Sequence, residues 1–282
     1  MNKFEVFKCV GTLARQTLID EVSATPKPGL VDKNNCGSHS DMNFDTFVSS
    51  ANALESYFCE ITEYGYNTAA LPESDSFADA RKLGLDAEKQ MYEATGGVNT
   101  HKGMIFSGGL ICMAVGRLVA LGEKITLENI CSTVAKTVKG VCEKDYSQLT
   151  NESLMTNGEK LFFKYGIKGS RGEAESGFET VREYSYPFMK KCFCEKMDEN
   201  EVLVRTLLYI MGVVEDTNVI KRGGVEMGEY VRCQSQKLVN VDMADIYGFD
   251  RDLIEKNLSP GGCADILAAT WLIWNIENKL SV

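Results

Sequence analysis

Five short stretches of this 282-residue chain hold most of the residue types that could do chemistry on a phosphorylated ligand. Gly96-Gly97-Val98-Asn99-Thr100-His101-Lys102-Gly103 runs directly into an apolar stretch. Its amides would open a helix, where free N–H groups and the positive end of the dipole favour phosphate. Lys102 adds a formal charge there, and His101 can donate to an anion or orient a hydroxyl. The stretch from Tyr165 to Gly177 spaces glycines at 166, 169 and 172 around Lys168 and Arg171. Such glycines let backbone approach a ligand closely, while the cations supply charge. Glu173 and Glu175 follow, available for Mg²⁺ or as bases. This is not a Walker A loop, because the chain has no G-x-x-x-x-G-K-[ST].

Two further stretches repeat the theme. Glu215 to Gly224 places Asp216 ahead of Lys221-Arg222 and two glycines, and Asn257 to Asp265 sets Ser-Pro-Gly-Gly before Asp265. The fifth runs from Glu21 through Lys27 to Asp32 and on to Met42, and it includes His39, one of two histidines. Asp, Asn, Ser and Gly also close turns and cap helices. Capped connections, with Asp41 serving the next helix, therefore stand beside the binding-site reading.

The elements that must position these stretches are helices. Phe4, Phe7, Val10, Ala14, Leu18 and Val22 recur at three- and four-residue steps, as do Phe44, Phe47, Val48, Ala51, Leu54 and Phe58. The pattern predicts further helices over 76–93, 103–121, 126–141, 153–164, 173–194, 199–213, 224–238, 242–256 and 260–278. Ser259 is expected to cap the last, with Pro260 at its first position. The 103–121 segment is almost wholly apolar and reads as a buried central helix. Val239-Asn240-Val241 is the best strand candidate and is too short to build a sheet. The expected fold is all-α, a single compact multi-helix domain over 1–282, because five prolines and no Pro/Ser/Gly-rich linker leave no obvious boundary.

Bulk composition narrows the function. A hydrophobic fraction of 44% and a charged fraction of 25% are those of a globular protein. The net charge of −10 argues against nucleic-acid binding, which needs a basic face. It leaves room for a local phosphate site. The apolar run at 104–115 is shorter than the about 20 residues that span a bilayer, so no membrane segment is expected. Met1 to Val10 carries Lys3, Glu5 and Lys8 and does not read as a secretory signal. The ten cysteines contain no C-x-x-C pair, so reduced thiols in a cytoplasmic protein are expected.

EVSATPKPGLVD (21–32), GVNTHKG.IFS (97–107), YGIKG.RGEAESGF (165–178), DTNV.KRGG (216–224) and SPGG.AD.LAAT (259–270) together resemble the triphosphoribosyl-dephospho-CoA synthases. The resemblance implies an all-α transferase that joins ATP to 3'-dephospho-CoA and releases adenine. The product would be 2'-(5''-triphosphoribosyl)-3'-dephospho-CoA, the prosthetic-group precursor of citrate lyase or malonate decarboxylase. It further implies a downstream transferase that modifies an acyl carrier protein, and it is compatible with a homodimer. Ribosyl transfer passes through an oxocarbenium-like state that calls for a nearby carboxylate, a base for the hydroxyl and a donor to the leaving adenine. On this resemblance Glu173, Glu175, Asp216 and Asp265 are expected to ligate Mg²⁺ and to act as base or cation stabiliser, with His101 also catalytic. Lys27, Asn99, Lys102, Lys168, Arg171, Lys221 and Arg222 are expected to bind the nucleotides.

Two departures from the family pattern stand out. Thr156-Asn157-Gly158 replaces a Thr-His-Gly step, and the 34–41 loop reads NNCGSHSD where NNGAH.DM is usual. A metal-dependent nucleotide hydrolase, or a relative that binds nucleotide or CoA without turnover, are the alternatives these residues leave open.

Overall fold

The computed structural model describes residues 1–147, 160, 162–164, 166–167 and 169–280. Among them lie twelve α-helices, one π-helical segment and no strand. The all-α expectation holds.

α1 (Lys3–Ser23) opens with a reciprocal cap: Asn2 accepts from the Glu5 amide while Glu5 accepts from the Asn2 amide. Its inward face is Val6, Phe7, Val10, Ala14, Leu18 and Val22, whereas Phe4 is 63% exposed and lies outside the stripe expected of it. α2 (Phe44–Asn67) is capped by Asn43, so Asp41 does not serve it. α1 packs along α2, and α2 along α4 (Lys102–Leu121), with α3 (Glu73–Ala94) closing one flank.

α4 is the buried central helix the sequence predicted. It is the one described helix long and apolar enough to cross a bilayer, and 78% of that stretch is buried by its neighbours. At its end the buried Arg117 guanidinium takes the carbonyls of Thr68, Ala69 and Leu71 beyond α2. A buried cation is tolerated because those acceptors replace water.

α5 (Leu127–Thr137), α6 (Val141–Ser147) and α7 (Gly169–Glu175) follow. The expected helix 126–141 stops early at Thr137. The expected helix 173–194 is broken: α7 ends at Glu175, a turn runs through Gly177, and a π-helical segment Val181–Ser185 leads into α8 (Tyr186–Cys194). The helix expected at 153–164 lies largely outside the described residues.

α9 (Glu199–Val213), α10 (Thr217–Leu238), α11 (Met243–Glu255) and α12 (Gly261–Leu280) complete the chain. α10 begins earlier than the predicted 224, and Gly224, at φ 80°, kinks it where the prediction placed its start. A side chain is disfavoured at such φ. Residues 239–241 form a turn, not a strand. α12 packs against α1, α4 and α9, and one hydrophobic cluster threads these helices. All ten cysteines are free thiols, as expected.

Candidate active site

A cavity of about 1330 Å³ opens where α4, α10 and α12 begin, and it gathers residues from all five polar stretches. That exceeds the roughly 300–1,000 Å³ usual for a single small ligand. The first turns of three long helices line it, so the wall lies at their positive dipole ends without a Walker loop.

The inner wall is built from buried charges. Glu21 and Lys27 form an ion pair at 2.5 Å with both side chains nearly inaccessible. Lys27 was expected to bind nucleotide; its ammonium is instead committed to Glu21, because a lone cation at that depth would be strongly disfavoured. The loop around it is tied by Asp32, which accepts from the amides of Lys27, Asn34 and Asn35. Asp250 accepts from the Gly29 amide and the Asn35 side chain. The loop at 34–41, unusual in sequence, is thereby anchored to α11.

Asp265 and Asp216 meet the cavity in different ways. Asp216 is buried and accepts from the amides of Asn218, Val219 and Cys263 at 2.7, 3.2 and 2.7 Å. One carboxylate thus caps both α10 and α12. Ser259, expected to cap α12, turns its hydroxyl to His39 Nε2 at 2.9 Å. Burial raises the Asp216 pKa, opposed by its three amide hydrogen bonds.

Asp265 makes no hydrogen bond among the described residues and keeps part of its surface open to the cavity. Its carboxyl group lies against the backbone of Gly103, where any β-carbon would overlap it. The pKa is pushed up to about 8, first by burial and then by the nearby charges of Glu21 and Asp216. Near neutrality Asp265 is therefore largely a protonated acid.

Glu173 also lines the cavity and accepts from the Thr180 hydroxyl and amide at 2.5 and 3.3 Å. Burial raises its pKa, with the Thr180 hydrogen bonds opposing. Glu175 does not join it. Residues two apart on a helix point to different sides, and Glu175 accepts from the Gly140 amide at 2.7 Å, outside the cavity lining. The four carboxylates expected as one metal set therefore do not converge. Among the described residues no group of three or more His, Cys, Asp or Glu side chains is placed to hold an ion.

His101, expected to be catalytic, is buried in the wall with Nδ1 2.7 Å from Ser50 Oγ. The remaining cations line the outer part. Lys102 is paired with Glu88 at 2.7 Å and Arg171 with Asp145 at 3.2 Å. Arg222 donates to the carbonyls of Ser38 and Asn257, and Lys221 is exposed with no ion pair or hydrogen bond among the described residues. Asn99 accepts from the Lys102 amide, which fixes the turn before α4. Lys168 and Asn157 lie outside the described residues.

Glu88, Ser50 and Thr180 were not singled out in sequence, and Glu21 entered only as the first residue of the fifth stretch, with no role of its own. Glu21 and Ser50 did carry a signal: each is a polar residue at an inward register position, between Leu18 and Val22 and between Phe47 and Ala51.

Comparison with known proteins shows which family the chain belongs to. The family described as CitG, ATP:dephospho-CoA triphosphoribosyl transferase, matches residues 7–282. The chain belongs to this family. The 2-(5''-triphosphoribosyl)-3'-dephosphocoenzyme-A synthase of Pectobacterium atrosepticum is 40% identical over 261 residues, 92% of this chain and 86% of that protein. The like-named protein of Escherichia fergusonii is 39% identical over 273 residues, 94% and 90% of the two chains. No solved structure matches the chain.

Proposed function

We propose that this transferase joins ATP to 3'-dephospho-CoA and releases adenine, acting as one domain in the cytoplasm. Its product would pass to a transferase that modifies an acyl carrier protein. The observation that carries the reading is one cavity large enough for two nucleotides, with the Asp265 carboxyl on its wall and cations toward its exterior.

The bond from C1' of ATP to the adenine nitrogen breaks, and a bond from that carbon to the 2'-oxygen of dephospho-CoA forms. Asp265 gives its proton to departing adenine, and the carboxylate left behind faces the developing oxocarbenium charge. Glu173 takes the proton of the incoming hydroxyl. The protons balance over a turnover: one leaves on adenine, the proton taken by Glu173 passes to solvent, and Asp265 takes one back from solvent. A raised pKa suits an acid working near neutrality. Lys221, Lys102 and Arg171 hold phosphates, which are kept and never transferred. Mg²⁺ is commonly bound by one or two carboxylates together with substrate phosphates. It enters this reading with ATP, as part of the substrate, and no step is assigned to it.

The test is incubation of purified protein with MgATP and 3'-dephospho-CoA, followed by chromatography and mass spectrometry. Adenine and a heavier CoA product, each requiring both substrates, are expected. Adenine or phosphate released from ATP alone would replace this reading with a nucleotide hydrolase.

A further inference from the structure

Among the described residues of the cavity wall, one solvent-inaccessible side-chain atom has no hydrogen-bond partner. His101 is 3% exposed, lines the cavity, and its Nε2 is solvent-inaccessible without any hydrogen bond. Leaving a buried polar atom unpaired costs its full desolvation, so such an atom beside a binding cavity points to a ligand.

Its other nitrogen shows which form the ring takes. Thr100 Oγ1 donates to Ser50 Oγ at 2.7 Å, which leaves the Ser50 proton free for His101 Nδ1, also at 2.7 Å. A proton received at Nδ1 by hydrogen bonding places the ring's own hydrogen on Nε2. The remaining neighbours do not compete: Phe47 meets the ring edge-on, the Met91 sulfur accepts from the His101 backbone amide, and the Lys27 ammonium is bound to Glu21. Burial, with the Lys27 charge adding, drives the imidazole pKa down to about 3, so the ring is neutral at any working pH.

We infer that the Thr100–Ser50 hydroxyl pair locks His101 as the Nε2–H tautomer, offering a neutral donor to an uncharged acceptor on the nucleotide, a ribosyl oxygen or an adenine ring nitrogen. Ser50 and Thr100 are positioning residues. The ligand's identity rests on the synthase reading; the tautomer does not. An uncharged acceptor is favoured because the phosphate-holding cations sit toward the exterior, while His101 lies on the buried side.

The protein contains only two histidines, so ¹⁵N-histidine labelling gives two rings, assigned with His39→Gln. His101 is expected as a neutral Nε2–H ring that does not titrate between pH 5 and 8. ATP should shift its Nε2–H signal, with adenine alone reproducing the shift if the acceptor is on the base and ribose 5-phosphate if it is on the sugar. Ser50→Ala and Thr100→Val should each populate the Nδ1–H form and raise the KM for ATP about tenfold, leaving the alkaline limb of the pH profile in place. Thr100→Ser should restore both. An Nδ1–H ring in the unsubstituted protein, or no shift with ATP, overturns the inference even if adenine release is normal. The expected tautomer and ATP shift without adenine release would remove the synthase reading alone.

Discussion

On the inner wall of the cavity the Lys27 side chain is 2% exposed and bound to Glu21, while at the outer part Lys102 is 52% exposed and Lys221 has no partner among the described residues. Cations of the same charge thus do different work at different depths. A buried charge changes its neighbours' ionisation, because the interior screens it weakly. An exposed one acts mainly by attracting an anion, and salt weakens it. The chemistry is accordingly expected from the wall and the affinity for phosphate from the exterior.

The largest effect should come from Asp265. Asp265→Asn keeps the shape but removes the transferable proton, and kcat should fall about 10²–10⁴-fold. In the unsubstituted enzyme, activity that needs protonated Asp265 should decline above pH 8, following its raised pKa. The stability effect has the opposite sign. An aspartate whose folded pKa lies above its unfolded value binds more protons when folded, so stability falls as pH rises between about 4 and 8. Asp265→Asn escapes that loss. Its Tm should exceed the parent's by about 3 °C or more at pH 8.5, a difference that vanishes toward pH 4. Equal melting temperatures at both pH values would contradict the unfavourable environment assigned to Asp265.

The Glu21–Lys27 pair comes next. Lys27→Met leaves Glu21 charged and unpaired, and should cost about 3–5 kcal/mol in denaturant unfolding. The double variant Glu21→Gln/Lys27→Met should regain most of it. Glu21→Gln alone removes a carboxylate that raises the Asp265 pKa. The alkaline limb of the rate profile should then move to lower pH. A limb that stays in place would separate Glu21 from the chemistry.

At the exterior the effects shrink. Lys221→Ala should raise the KM for ATP up to about fivefold with kcat nearly unchanged, the scale of an exposed charge. Added salt should narrow the gap between variant and parent. A salt-independent defect would mean that Lys221 is buried by substrate or supports the fold.

The same contrast shows what the sequence could tell. Helices with one long apolar face were legible because burial imposes a 3.6-residue period: α1, α2 and the almost wholly apolar α4 fall where the pattern placed them. The clusters were legible too, since glycines, acids and cations before apolar runs mark helix starts. The partner each charge chooses was not legible. Lys27 and Glu21 lie six residues apart across a turn, and nothing in their spacing says that one neutralises the other. Asp216 reads as a lone acid, yet it caps α12 through Cys263, 47 residues away. The break after Glu175 was missed because apolar residues continue at helical spacing through Phe178, Val181 and Met189, while Gly177 turns the chain.

The smallest effect is expected at Glu175, and it separates two glutamates that the sequence treats alike. Glu173 and Glu175 lie in α7, but the first faces the cavity against Thr180 and the second holds the Gly140 amide. A glutamine oxygen can accept that same amide hydrogen bond, so Glu175→Gln should keep turnover within about twofold and stability within about 0.5 kcal/mol. Glu173→Gln loses the base proposed for the incoming hydroxyl and should slow product formation about 10²-fold, the low end of the about 10²–10⁴ usual for general-base loss. Comparing the two substitutions under identical conditions cancels any shared effect of lost charge on α7. Equal losses would mean that α7 acts only through its net charge; the reverse order would place Glu175 at the chemistry and Glu173 in the scaffold.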